Sequence, residues 1–193
     1  MRLNRVRCRF AVWRLWVAGI CLSGFADAAR AGHVCVDAES ATHVQAPMRR
    51  VDAGNPEEGV TPIEGASRNT YLEIPAIAEP SEEDKQAHAE FKITLEEGGD
   101  YVLWMRVWWD DECSNSFRVG INDQSPFIIG RNRVFRRWNW VRSPPRTRQL
   151  TLEAGTHTLK VLYREDRVRL DQILLTTDPR FVPVDIEPLT SQP

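Results

Sequence analysis

The chain of 193 residues has little that would support catalysis. It contains no Gly-rich phosphate loop and no Gly-x-Ser-x-Gly nucleophile elbow. Carboxylates are plentiful, so counting does not exclude a glycosidase pair, but a small domain leaves little room for a substrate-distorting cleft. The four histidines lack the spacing that a metal site requires; they are His33, His43, His88 and His157. We therefore expect a protein that is not an enzyme.

The sequence also lacks an apolar run long enough to span a membrane as a helix. The run Leu15–Phe25 is short, follows an arginine-rich start and precedes the small-residue sites Ala26-Asp27-Ala28 and Ala29-Arg30-Ala31. This order is typical of a signal peptide, which we place at residues 1–31. It predicts a secreted, periplasmic or cell-envelope protein, with a retained N-terminal anchor as the alternative. Cleavage after Ala31 would remove six arginines and one aspartate, moving the formal net charge from −2 to −7.

Cysteine is scarce, and only Cys35 and Cys113 lie beyond the predicted signal peptide. An even number of cysteines in an oxidising compartment is compatible with one disulfide. The sequence does not show whether the two residues approach within bonding distance, so two separate buried thiols remain the alternative.

A helical period and an internal repeat are both missing, and apolar alternation with a period of two recurs instead. It is interrupted by turn-forming residues, as at Glu97-Gly98-Gly99-Asp100 and Ser143-Pro144-Pro145. Many short strands at regular spacing predict an all-β fold, a single antiparallel β-sandwich or jelly roll, over residues 34–178. Within it, residues 154–177 are expected to form a hairpin that turns at residues 164–167. A proline-containing tail, residues 179–193, is expected to be partly ordered at Phe181 and Val182 and loose beyond them.

Several segments resemble carbohydrate-binding modules of families 6 and 35, which are galactose-binding-like β-sandwiches. The segments follow the family's order along nearly all of the mature chain: Val36-Asp37-Ala38-Glu39-Ser40-Ala41, Gly65-Ala66-Ser67, Tyr71-Leu72-Glu73-Ile74-Pro75, the strand 99–107 ending near an arginine, Asn115-Ser116-Phe117, Trp138-Asn139-Trp140 and residues 154–177. The resemblance implies a non-catalytic module that binds a polysaccharide or glycan. Binding modules usually accompany a catalytic domain, so a separate glycan-degrading enzyme is a possible partner.

Calcium is the expected cofactor. Asp171 lies mid-strand, where a buried carboxylate needs a partner, and the resemblance implies a structural calcium bridging the first and last strands. By matching position its ligands would be Asp37, Glu39 and Asp171, since Ca²⁺ prefers oxygen ligands. Asp37 replaces the family's usual glutamate. The alternative is an exposed Asp37, with Asp171 paired to Arg169 or Arg164.

Aromatic rings are the expected sugar platform, because a pyranose stacks its C–H face on a flat, desolvated ring. Trp138 and Trp140 would share one face of a strand, flanked by Arg136 and Arg142. The resemblance places the binding cleft among loops at one sandwich edge, which suits Trp109, Trp140 and the loop of Asn115. Some tryptophans must be core, and we expect Trp104 or Trp108 to be among them.

Acidic residues are absent between Asp123 and Glu153, where seven arginines occur: Arg131, Arg133, Arg136, Arg137, Arg142, Arg146 and Arg148. Guanidinium groups bind carboxylate or sulfate, so this basic patch favours a uronate or sulfated glycan. Nucleic acid would use the same features but is not expected for a secreted protein. In the alternative the arginines pair with the acidic segments 79–84 and 110–112. A structural or adhesive envelope domain without a sugar site is the competing functional hypothesis.

Overall fold

The computed structural model of the protein describes residues 32–144 and 150–192. The predicted signal peptide therefore lies outside the described residues, as do Arg146 and Arg148. The described segments contain twelve strands, together with short 3₁₀ turns at Ala38–Ser40, Ser67–Asn69 and Asp84–Gln86. The strands are β1 His33–Asp37, β2 Ala41–Gln45, β3 Arg49–Asp52, β4 Thr70–Ile74, β5 His88–Leu95, β6 Gly99–Trp109, β7 Ser116–Ile121, β8 Phe127–Gly130, β9 Asn139–Arg142, β10 Leu150–Leu152, β11 Gly155–Leu162 and β12 Val168–Thr176.

The strands form two antiparallel sheets that pack face to face, which confirms the predicted all-β sandwich. One sheet has the order β10-β6-β12-β4-β3, with β9 also paired to β6 and β1 also paired to β12. The other has the order β2-β5-β11-β7-β8. Strand β6 is long enough to pair with β10 at its start and with β9 further along, so it is the central support of the larger sheet.

The core follows the alternation of the sequence. In β6, Tyr101, Leu103, Met105, Val107 and Trp109 are buried and belong to the core cluster, whereas the residues between them point away from it. Leu159 and Val161 of β11 face them from the opposite sheet. Because successive side chains of a strand point to opposite faces, the β6 side chains between these core residues are the ones that can form an outer surface.

The predicted hairpin at residues 154–177 is wrong. Both strands exist, but β11 pairs with β5 and β7, whereas β12 pairs with β1, β4 and β6 of the other sheet. The connection at residues 163–167 therefore crosses between the two sheets. It also contains a left-handed residue, Arg167, with φ 54°.

The C-terminal tail is bound to the larger sheet and is not loose as expected. Thr190 and Cys35 exchange two hydrogen bonds, and the amide of Gln172 pairs with the backbone of Glu187. Cys35 and Leu174 are opposite each other in register, are fully buried, and lie outside the core cluster between the sheets. The tail thus covers the part of the outer sheet face formed by β1 and β12.

The cysteines do not form a disulfide: Cys35 and Cys113 are both free thiols. Cys35 is buried in β1 and Cys113 is exposed in the loop that follows β6, so the expectation of two buried thiols holds only for Cys35. Within the described residues, no helix is long and apolar enough to cross a membrane.

Candidate functional site

Strand β6 presents two tryptophans on the outer face of the larger sheet. Trp104, Arg106 and Trp108 alternate with the core residues of β6 and therefore point away from the sandwich interior. Both tryptophans are partly exposed. The expectation that one of them belongs to the core is wrong, because the β6 side chains that point into the core are the alternate set that includes Trp109.

Strand β9 adds a second row of side chains beside this one. Arg142 lies opposite Trp104 in register, and Trp140 lies opposite Arg106. Trp138, just before β9, makes an edge contact with Trp108 at a centroid separation of 5.7 Å. The result is an outer aromatic face, by which we mean Trp104, Trp108, Trp138 and Trp140 with Arg106 and Arg142 between them.

Guanidinium groups and neighbouring backbone hold three of these indoles, those of Trp104, Trp138 and Trp140. Arg142 lies over the Trp104 ring at 5.9 Å from its centroid, and Arg106 over the Trp138 ring at 5.4 Å. The indole N–H of Trp138 donates to the carbonyl of Glu64 at 2.8 Å, and that of Trp140 to the carbonyl of Asp185 at 2.9 Å. Rings that are fixed yet half-exposed provide a flat apolar surface suited to stacking.

Three of the predicted ligand-binding residues, Trp138, Trp140 and Arg142, are brought together on this face. Trp109 is a correction: its side chain is 0% exposed, packs on Phe117 and donates to Asn132 at 2.8 Å, so no ring face is open to a ligand. Its position at the end of β6 suggested exposure, but the strand's alternation directs it inward.

The other two predicted residues, Asn115 and Arg136, lie in the loops at the end of the sandwich. The Asn115 N–H donates to Glu165 and its carbonyl accepts from Arg131, both at 2.8 Å. The Arg136 N–H donates to the carbonyl of Trp109. The predicted site is therefore divided between the outer aromatic face and these loops.

The basic patch is mostly not neutralised by the acidic loops. Among its described members, Arg133 pairs with Glu112 at 2.7 Å, while Arg131, Arg136 and Arg137 are exposed and form no ion pair with another described residue. Arg131 and Arg136 adopt left-handed backbone conformations, with φ of 63° and 54°. Burial, and then the charges of Arg131 and Arg118, lower the pKa of the nearby Arg164 guanidinium, which is itself paired with Glu165.

The predicted calcium ligands do not form a shared oxygen cage. Asp171 accepts from the Ser67 N–H at 2.8 Å and is paired with Arg106, not with Arg169 or Arg164. Asp37 is buried and not exposed, and Arg68 lies 3.5 Å from its Oδ2 and 3.4 Å from Glu39 Oε2. In the described segments no group of three or more His, Cys, Asp or Glu residues is placed to hold a metal. The residues present therefore do not fit the predicted site.

Two open depressions lie elsewhere on the sandwich, and neither contains a tryptophan. One, of about 470 Å³, is lined by β3 and the loop after it; the other, of about 610 Å³, is lined by polar residues of the smaller sheet, including Lys92 and Lys160. Neither has a flat aromatic floor, so the outer aromatic face is the better candidate for stacking on a sugar.

Comparison with known proteins gives a fold and no closer relationship. No protein-family model matches the sequence, and no curated protein matches it. Among solved structures, a GH26-CBM35 β-(1,4)-mannanase from Podospora anserina is 21% identical, with a TM-score of 0.57 over 82% of this chain and 30% of that one.

A family 35 carbohydrate-binding module from Clostridium thermocellum is 15% identical, with a TM-score of 0.50 over 75% of this chain and 98% of that one. An exo-β-1,3-galactanase from Phanerochaete chrysosporium is 13% identical, with the same TM-score, over 75% of this chain and 29% of that one. The chain thus spans less than a third of either enzyme. The fold is of the family 6/35 carbohydrate-binding-module type, which confirms the resemblance noted in the sequence.

Proposed function

We propose that this protein is a non-catalytic carbohydrate-binding module whose platform is the outer aromatic face. The observation that supports the proposal best is the group of four half-exposed tryptophans on one sheet face. Three of them are held by cation–π contacts or by hydrogen bonds to backbone, and the fourth, Trp108, contacts the edge of Trp138. Stacking needs flat rings that do not have to be ordered on binding, and these rings are ordered already.

The ligand in this proposal bears negative charge, as a uronate or a sulfate ester. Arg142 is exposed beside Trp104, and Arg131, Arg136 and Arg137 are exposed at the loop end. A planar guanidinium presents paired N–H donors that match the geometry of carboxylate and sulfate. Aromatic rings would then bind the sugar ring, and arginines its charged substituent.

The same proposal describes a protein that acts outside the cytoplasm. The predicted signal peptide supports secretion or a cell-envelope location. The structural likeness to parts of glycan-degrading enzymes supports a role beside a separate enzyme of that kind. Binding without catalysis is favoured because the outer aromatic face is a surface and has no facing carboxylate pair within a cleft.

Calorimetric titration of the full chain with polygalacturonate and with its methyl-esterified form tests the proposal, because the two polymers differ chiefly in charge. We expect saturable binding of the charged polymer that weakens as salt is added. Trp140→Ala should weaken it at least about fivefold, since truncating a central aromatic contact typically costs more than 1 kcal/mol.

Two further variants and one control variant separate stacking from charge. Trp140→Phe should retain most of the affinity, because it keeps a flat ring even though it loses the hydrogen bond to Asp185. Arg142→Ala should weaken binding of the charged polymer alone, whereas Lys92→Ala, a cation removed from the other sheet, should change neither. Binding of only the esterified polymer would retain the sugar platform and reject the charge preference.

A structural or adhesive envelope domain is the second candidate function. It is favoured by three exposed apolar side chains of the tail, Val182, Val184 and Ile186, which are 66%, 72% and 47% exposed and suit contact with another protein. Failure of both polymers, and of dextran sulfate, to bind would select this function.

A further inference from the structure

The carboxylates at the junction of the first and last strands already have cationic partners within the chain. We infer that the guanidinium groups of Arg68 and Arg106 stand in for a bridging metal ion there, so that the sandwich folds without calcium. This inference concerns the stability of the fold and does not rest on the proposed function.

Arg106 is the buried partner. Strand β12 has a register shift between Leu170 and Gln172, so Asp171 is an extra residue in that strand. Its carboxylate is 0% exposed and is paired with Arg106, which is itself only 7% exposed. Arg106 also donates to the carbonyl of Gly65 at 3.0 Å and packs over the face of the Trp138 ring, so several contacts fix this guanidinium in place.

Arg68 is the partner on the rim. The 3₁₀ turn Ser67–Asn69 directs the Ser67 N–H to Asp171 and places Arg68 within 3.5 Å of Asp37 and Glu39. Arg68 has φ 49°, a left-handed conformation that disfavours any side chain with a Cβ. A strained residue that contacts two carboxylates is best explained by what its side chain neutralises.

Charge balance supports replacement of the metal and not coexistence with it. Asp37, Glu39 and Asp171 supply three negative charges, and the two arginines cancel two of them. The Oδ2 atom of Asp37 is buried and has no hydrogen-bond donor in the part of the chain that the structure describes, so the charge of Arg68 at 3.5 Å is its compensation. A divalent ion at this point would have to displace Arg68 and would meet an Asp171 whose two oxygens are already engaged.

The first test is thermal unfolding of the full chain in EDTA and in millimolar calcium, with metal content measured after desalting. A protein that binds calcium in the folded state alone gains stability with calcium concentration. We expect the same Tm in both buffers and no bound metal. A Tm several degrees higher in calcium, or about one calcium per chain, would overturn the inference.

The second test changes Arg68, whose side chain is exposed, and leaves the buried Arg106 in place. Arg68→Ala should lower Tm in EDTA by about 4 °C, because it leaves two neighbouring carboxylates uncompensated, and Arg68→Lys should recover part of this loss. Arg133→Ala removes an ion pair that is exposed on both sides and should change Tm by about 1 °C or less. Equal, small effects of Arg68→Ala and Arg133→Ala would also overturn the inference.

Discussion

Truncation of Trp109 should destabilise the protein strongly and should not act as the loss of a ligand contact. The side chain is fully buried, packs on Phe117 at a centroid separation of 5.5 Å and donates to Asn132 at 2.8 Å. Replacing a buried tryptophan by alanine typically costs about 3–5 kcal/mol, and leaving the Asn132 oxygen without its donor adds about 1 kcal/mol. We expect Trp109→Ala to lower Tm by about 8–24 °C, at about 2–4 °C per kcal/mol.

Urea unfolding followed by circular dichroism measures this effect as a change in the free energy of unfolding. Trp109→Phe, which keeps the packing on Phe117 and loses the hydrogen bond, should cost about 2 kcal/mol. A double-mutant cycle with Asn132→Ala should give a coupling of about 1 kcal/mol. A cost below about 1 kcal/mol for Trp109→Ala, together with weakened polysaccharide binding, would show instead that the ring faces a ligand.

Three smaller predictions follow from local geometry. Cys113 should react with a thiol reagent at pH 8 in the native protein and Cys35 should not, since burial raises the Cys35 pKa to about 12; comparing labelling of the Cys113→Ser and Cys35→Ser variants checks this. Arg167→Gly should be about 1 kcal/mol more stable than Arg167→Ala in urea unfolding, because only glycine relieves φ 54°. Gly130→Ala should cost more than about 1 kcal/mol, because the new Cβ would lie 2.3 Å from the Asn115 carbonyl oxygen; an unchanged Tm would contradict this.

The strands were predictable because each has a buried face, and burial imposes a period of two on the sequence. The pairing of strands was not. Residues 154–177 contain two good strands with a short connection, which is also the pattern of a hairpin. Whether the second strand pairs with the first or crosses to the other sheet depends on the partner strands that β5, β6 and β7 provide. The apolar periodicity of a strand does not indicate which strand it pairs with.

For the tryptophans, too, the side-chain direction could be predicted from the sequence, whereas the neighbours across the sheet could not. The alternation of β6 placed Trp109 with Tyr101 and Met105, so its burial could have been read from the sequence, and Trp104 and Trp108 then had to face outward. Trp138 and Trp140 were expected to share one face flanked by Arg136 and Arg142; Arg142 lies beside them, but Arg136 lies in the loops at the end of the sandwich. Their neighbours across the sheet, Trp104 and Trp108, depend on the register of β9 against β6, which the sequence does not encode locally.

The carboxylates were identified correctly as residues in need of partners, but their partners were not. Asp171 was expected to find an ion or a nearby arginine of the same connection, and it is instead paired with Arg106, which is 65 positions away. The bulge that directs Asp171 toward Arg106 is one extra residue in β12, and a residue of this kind leaves no mark in the sequence pattern.

The attachment of the tail has a consequence for the order in which the molecule forms. Cys35 and Thr190, which exchange two hydrogen bonds, are 155 positions apart, and among the described strands β1 pairs only with β12. The first strand therefore has no sheet partner of its own until the last strand has been synthesised. Closing contacts between such distant segments is slow, on the order of milliseconds to seconds for β-sandwiches. Until that closure, Cys35 and Leu174 remain open to solvent, and the indole of Trp140 lacks the carbonyl that fixes it.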